Sequence, residues 1–152
     1  MASLLRVDDL TVSFGTSAGR VKALNNVSLS IEEGEVYCVV GESGSGKSTL
    51  ALSVMGLLPY NAEISDGRIM YKDIDLLRSS SEQMRDLRGQ EIALVFQDAQ
   101  SALNPIECIG PQLEEVILEH SDISLRNANK MAAVELIVID VETLSKGISS
   151  RC

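Results

Sequence analysis

Tryptophan is absent, and aromatic residues make up only 3% of the 152 residues. A core must therefore rest on Leu, Ile, Val, Ala and Met. Basic residues are outnumbered, 13 against 22 acidic, for a net charge of −9. That deficit argues against a nucleic-acid partner, which needs a basic surface, and against electrostatic docking on anionic lipid. Cysteine is sparse: Cys38, Cys108 and Cys152 lie far apart with no CxxC pair, so neither a zinc knuckle nor a redox motif is indicated. The odd count and wide spacing fit a reducing cytosol. No apolar run approaches the roughly 18 residues needed to span a bilayer. The opening Met1–Asp9 lacks the charged and apolar regions of a signal peptide. These absences predict a cytoplasmic chain whose membrane link, if any, runs through a partner.

What is present points to a folded domain. Hydrophobic residues make up 45%, and the length suffices for one domain with a real core. Leu4–Phe14 and Val21–Ile31 read as β-rich stretches. The first alternates apolar and polar with a slip at Asp8-Asp9, and the second has Val27, Leu29 and Ile31 in strict period two. Gly15–Arg20 is the turn between them, and an antiparallel pair is the simple reading. Val36–Val40 is a near-continuous apolar run of the kind that suits a strand buried on both faces of a parallel sheet, with Cys38 in its core. Lys47–Leu58 reads as a helix stopped by Pro59 and Asn61. Gly67–Tyr71 reads as a short strand. Ser81–Leu87 reads as a short helix that Ser81 can cap, and Ile92–Phe96 as a second buried strand. A polar loop, Gln97–Pro105, comes next. Ile109–His120 and Leu125–Leu144 read as helices.

Between the apolar run and the first helix lies Gly41-Glu42-Ser43-Gly44-Ser45-Gly46-Lys47-Ser48, which satisfies G-x-x-x-x-G-K-[ST]. A polyphosphate needs many donors packed around it. Glycines let the backbone curl so that successive N–H groups point inward. The helix beginning near Lys47 adds its free N–H groups and the positive end of its dipole. Lys47 is long enough to reach terminal phosphates, and the Ser48 hydroxyl suits Mg²⁺. The competing reading is a glycine-rich turn with an incidental lysine. The preceding strand and following helix favour the phosphate loop, Gly41 through Thr49, as an ATP site.

The flanks carry a resemblance. Val40–Leu50 resembles the loop of ABC transporter ATPases. Leu10–Gly15 and Val21–Ile31 resemble how those domains open, and Ile92-Ala-Leu-Val-Phe-Gln-Asp98 resembles their strand and Q-loop. Met55-Gly-Leu-Leu58 and Ser101-Ala-Leu-Asn-Pro105 look like the dipeptide, oligopeptide and nickel importer branch. The resemblance implies an α/β P-loop NTPase-type core with an N-terminal antiparallel β subdomain over residues 1–97. Residues 98–152 would be the Q-loop and the start of a helical subdomain. It implies an ATP-hydrolysing transport ATPase with ATP and Mg²⁺ as cofactors. Its partners would be transmembrane permease subunits and a second ATPase subunit at the cytoplasmic face of the membrane.

By position, Phe14 would stack on adenine; the plain alternative is a core residue at a strand end. Gln97 would sense the γ-phosphate through Mg²⁺ or the attacking water, because an amide offers both donor and acceptor; the alternative is a solvated loop residue. Ser48 and Gln97 are thus the metal candidates.

Two departures stand out. Ala99 occupies the position where the family usually has Pro. The signature segment, a Walker B strand ending in Asp-Glu and a switch histidine are not found. Leu136-Ile-Val-Ile-Asp140 imitates Walker B, but Val141 follows the acid, and helical spacing explains the same residues. Leu144-Ser-Lys-Gly147 only echoes the signature. His120, the one histidine, sits near a helix end, and Glu114, Glu115 and Glu119 form a face that reads as solvated. The chain is expected to stop before the true signature, to bind nucleotide and not to turn over alone. A non-catalytic nucleotide-binding fragment and an ABC-type DNA-repair ATPase are the alternatives; the charge and Ser101–Pro105 count against the second.

Overall fold

A computed structural model describes residues 3–97 and 103–138, with side chains to Val134 in the last helix. The chain divides into two compact units, Met1–Leu94 and Val95–Cys152.

The first unit is built on a four-stranded antiparallel sheet of order β2-β1-β3-β4. Its strands are β1 (Ser3–Thr16), β2 (Gly19–Glu32), β3 (Ala62–Tyr71) and β4 (Ile74–Asp75). The expected antiparallel pair is β1 and β2, joined by a tighter turn than Gly15–Arg20. Thr16 pairs with Gly19, whose φ of 119° only glycine tolerates easily, and Thr16 Oγ1 donates to Gly19 O at 2.6 Å. The slip at Asp8-Asp9 is a register shift between Val7 and Leu10, where Asp9 takes a φ of 46°. The extra residue is held from β2: Asp9 N–H donates to Ser28 Oγ, and that hydroxyl donates to Asp9 Oδ1.

Because β1 lies between β2 and β3, its centre is covered, and Leu10, Thr11, Val12 and Ser13 are all buried. β3 is longer than the short strand expected, because Gly67 is interior to it and does not begin it. Val7, Leu10, Val12, Leu24, Ile69, Tyr71 and Leu76 make the core, closed by Leu50 and Met84 from two helices.

Helix α1 (Lys47–Val54) ends earlier than Pro59. Gly56 takes a φ of 62°, its N–H bonds Ser53 O, and Leu57 N–H bonds Leu52 O. Those paired bonds and the left-handed glycine make a Schellman stop. Helix α2 (Ser81–Leu87) is as expected, but its cap is Ser80. Ser80 Oγ accepts from Gln83 N–H while Gln83 Oε1 accepts from Ser80 N–H, a reciprocal capping box. Ser80→Ala should therefore cost about 1 kcal/mol of unfolding free energy, read by urea titration.

The two apolar runs expected as buried parallel strands are not strands here. Residues 35–40 carry no ladder, Val36 is 96% exposed, and Cys38 is an exposed free thiol, not core. Ile92 makes one isolated parallel bridge with Arg88, and Ala93–Phe96 make none. A strand needs neighbours on both edges before its backbone groups and side chains can be buried. Apart from Arg88 at Ile92, none of the described residues pairs with these runs.

The second unit contains α3 (Ile109–His120) and α4 (Leu125–Val138), a helical hairpin. Among the described residues Ala128 and Ala132 are its buried side chains, small enough to let the helices approach closely, and Asn129 Nδ2 donates to Glu114 Oε1 at 2.6 Å. Leu136–Val138 are helical, as periodicity implied. Residues 139–147, with the Walker B and signature echoes, lie outside the described residues, as do Ala99 and Ser101. Cys108, before α3, is disulfide-bonded, against the expectation of reduced thiols, whereas Cys38 is free.

Candidate nucleotide-phosphate site

The loop after residue 40 turns tightly and delivers its end into α1. Gly44 and Gly46 take φ values of 80° and 93°, in the left-handed region. Ser45 N–H closes a turn on Glu42 O at 3.2 Å, and Gly46 O accepts the first helical bond from Leu50 N–H at 2.9 Å. Gly46 is the N-cap of α1, and no side chain caps it. The first helical N–H groups are thus left for solvent or a ligand. Their orphan donors and the helix dipole favour an anion.

Gly46 is required for a second reason. A Cβ there would lie 2.6 Å from Ala23 O and 2.8 Å from Leu24 Cδ2, both of β2. The glycine lets the loop press against the sheet, which fixes where the helix begins. A Cβ at Gly41 would meet Ser45 Oγ at 2.7 Å, the end of a side chain that can turn away.

Lys47 Nζ folds back over this loop. It donates to Gly41 O at 2.8 Å, Glu42 O at 2.6 Å and Ser45 Oγ at 3.3 Å. An ammonium has three donors, and the loop meets all of them. The cation therefore sits over the backbone concavity where an anion would need it. Ser48 is exposed at the helix start, and Thr49 O accepts from Ser53 Oγ at 2.7 Å. Glu42, Ser43 and Ser45 are exposed.

The expected site residues are thus partly assembled. Gly41, Glu42, Ser43, Gly44, Ser45, Gly46, Lys47, Ser48 and Thr49 form one continuous loop and helix start. Phe14, half-buried near the end of β1 between Val21 of β2 and Ala62 of β3, belongs to the same unit. Gln97 is exposed in the second unit. Beneath α1 lies an apolar cavity of about 350 Å³, lined by Leu5, Val7, Tyr37, Lys47, Leu50 and Ile92 among others. The contact of Gly46 with β2 has no signal in the sequence; the alternation of β2 carries no mark of what packs on it.

The chain matches known proteins over most of its length. Residues 24–152 match the family model of the ABC transporter. The chain is 44% identical over 142 residues to the dipeptide transport ATP-binding protein DppD of Bacillus subtilis, covering 93% of this chain and 42% of that protein. It is 41% identical over 135 residues to the oligopeptide transport ATP-binding protein OppD of the same organism, covering 88% and 37%. It therefore spans less than half the length of these curated relatives. Among solved structures it resembles the dimeric ATP-binding cassette MJ0796 in a post-hydrolysis state bound to ADP and Pi. That likeness has a TM-score of 0.71 and 25% identity, over 91% of this chain and 58% of that one. A second dimeric structure of MJ0796, a bacterial ABC transporter cassette, is matched at the same TM-score and identity, covering 89% and 56%. The fold is that of an α/β ABC ATPase cassette, and the chain belongs to the ABC transporter family.

Proposed function

We propose that this chain is a nucleotide-binding portion of the ATP-binding subunit of an ABC importer that takes up peptides. The observation that carries the reading is the glycine loop ending on an uncapped helix, with the Lys47 ammonium folded over it. A nucleotide polyphosphate suits that donor set. Phosphate oxygens would replace Gly41 O, Glu42 O and Ser45 Oγ as acceptors for Lys47. The Gly44, Ser45, Gly46 and Lys47 N–H groups would serve the bridging and terminal oxygens. Ser48, exposed at the helix start, would hold Mg²⁺, and Phe14 would stack on adenine; the resemblance gives Gln97 as a further metal candidate. Magnesium would supply charge neutralisation at the phosphates.

Relatives that transport dipeptides and oligopeptides support peptides over nickel as the solute. Permease subunits and a second ATPase subunit are the partners on this reading, at the cytoplasmic face of the membrane. Dimeric MJ0796 supports the second ATPase subunit. Among the described residues no helix is long and apolar enough to cross a membrane, so the membrane link would run through the permease.

The whole subunit would hydrolyse ATP, but this chain alone is expected not to. The family's catalytic Glu would follow its Walker B Asp, and in this sequence Val141 follows Asp140. Equilibrium dialysis with MgATP should show saturable binding, while phosphate release stays at the rate of buffer. No binding at millimolar MgATP would overturn the nucleotide reading. Sustained release by the pure chain would overturn the claim that it cannot turn over.

A further inference from the structure

Glu91 lies outside the glycine loop, and its carboxylate receives two donors from the end of β3. Residues 87–92 form a tight reversal: Glu91 N–H and Ile92 N–H both bond Leu87 O, at 2.9 and 3.0 Å, and Gly89 N–H bonds Ile92 O at 3.0 Å. From this reversal Glu91 reaches the end of β3. Its Oε2 accepts from the Tyr71 hydroxyl at 2.9 Å and from Lys72 Nζ at 2.7 Å. Lys72 Nζ also lies 5.1 Å from the centroid of the Tyr71 ring, within cation–π range.

The lysine is held there at a backbone cost. Lys72 takes a φ of 51°, a region that a long side chain enters rarely, and its N–H is fixed to Leu4 O at 2.8 Å. The strained turn aims its ammonium at Glu91. The three residues after Glu91 give the arrangement a purpose. Ile92, Ala93 and Leu94 line the cavity under α1, together with Leu50, Ala51 and Lys47. They make no ladder of their own beyond the single Ile92 bridge.

We propose that Tyr71, Lys72 and Glu91 form a clasp that positions the Ile92–Leu94 segment against the cavity under α1. The carboxylate is the keystone, because it alone receives both donors. The groups facing it are the Tyr71 hydroxyl and the Lys72 ammonium. Arg88, on the reversal itself, turns its Nε to Met84 O at 3.1 Å. The hydrogen bonds from Lys72 and Tyr71 hold the Glu91 carboxyl below its ordinary range, and the bond to Glu91 raises the Lys72 ammonium. A depressed carboxylate stabilises the fold above its ordinary pKa and loses that contribution as pH falls through the depressed value. A raised ammonium keeps its contribution until pH climbs above the ordinary lysine range. The clasp therefore holds through neutral pH and releases on acidification.

The test does not depend on nucleotide binding. Amide hydrogen exchange at Glu91 and Ile92 would be followed by NMR in the 152-residue chain, with the buried β1 amides as internal reference. Glu91→Gln and Lys72→Met should each speed exchange at those two amides about two- to fivefold at neutral pH, the scale of an exposed ion pair. The double variant should add little to either single, because the two remove the same contact. At low pH wild type should approach Glu91→Gln. If Glu91→Gln also loosens β1, Lys72→Met alone decides. Unchanged exchange at Glu91 and Ile92, or additive single effects, would overturn the clasp.

Discussion

Lys47→Ala should abolish the rise in unfolding temperature that MgATP gives the wild-type chain, while leaving the ligand-free transition nearly where it was. At a nucleotide concentration about 100 times Kd, one bound ligand adds about 2.7 kcal/mol of apparent stability. On the proposed reading most of that passes through Lys47, whose ammonium lies 2.6–2.8 Å from the carbonyls of Gly41 and Glu42. The ligand-free protein loses little because those bonds sit at an exposed loop, where water replaces a lost partner. Differential scanning calorimetry with and without MgATP separates the two effects. Lys47→Arg should fail to rescue, since a planar fork does not fit a concavity that a compact ammonium fills. A MgATP-dependent shift that survives Lys47→Ala would place the phosphates elsewhere, and the functional reading would have to be rebuilt from another site.

The shape of the glycine loop was legible because its geometry is local. Gly41 through Ser48 carry their own geometry: a glycine where φ is positive, a lysine at the first helical position, and a helix start without a capping side chain. The antiparallel pair was legible for the same reason, since Val27, Leu29 and Ile31 alternate and the break at Asp8-Asp9 is the bulge itself. Two kinds of feature were not legible. Helix ends set by a left-handed glycine look like the helix interior in a string of letters, so Pro59 reads as the stop where Gly56 is the actual one. Strands that depend on pairing partners read as strands by composition. Val36–Val40 and Ile92–Phe96 have the apolar content of buried strands, but burial belongs to the pair and not to the segment. The clasp at Glu91 could not be read either, because Tyr71, Lys72 and Glu91 become neighbours only when the reversal after α2 folds back on β3.

Gly67→Ala should produce the largest loss of stability of any single methyl addition to the first unit. Gly67 lies inside β3, opposite the bulge of β1, where the pairing jumps from Asp8–Arg68 to Thr11–Asp66. A Cβ at Gly67 would lie 2.5 Å from Leu10 Cα, 2.7 Å from Asp8 O and 2.8 Å from Leu10 N. All three atoms are backbone, so no side chain can rotate away. Relief would need β1 or β3 to move, and Leu10 and Ile69 on those strands are fully buried in the core. Gly67 also takes a φ of 104°, which alanine reaches only with strain. Backbone strain and overpacking each contribute about 1–3 kcal/mol, for a combined cost of about 2–6 kcal/mol. For comparison, Gly19, at a φ of 119° in the β1–β2 turn, has open space where a Cβ would stand. Gly19→Ala should cost only the strain. Urea titration of the two variants side by side distinguishes crowding from strain. Equal losses would mean that the bulge yields to the added methyl and that the β1–β3 register is looser than these distances require.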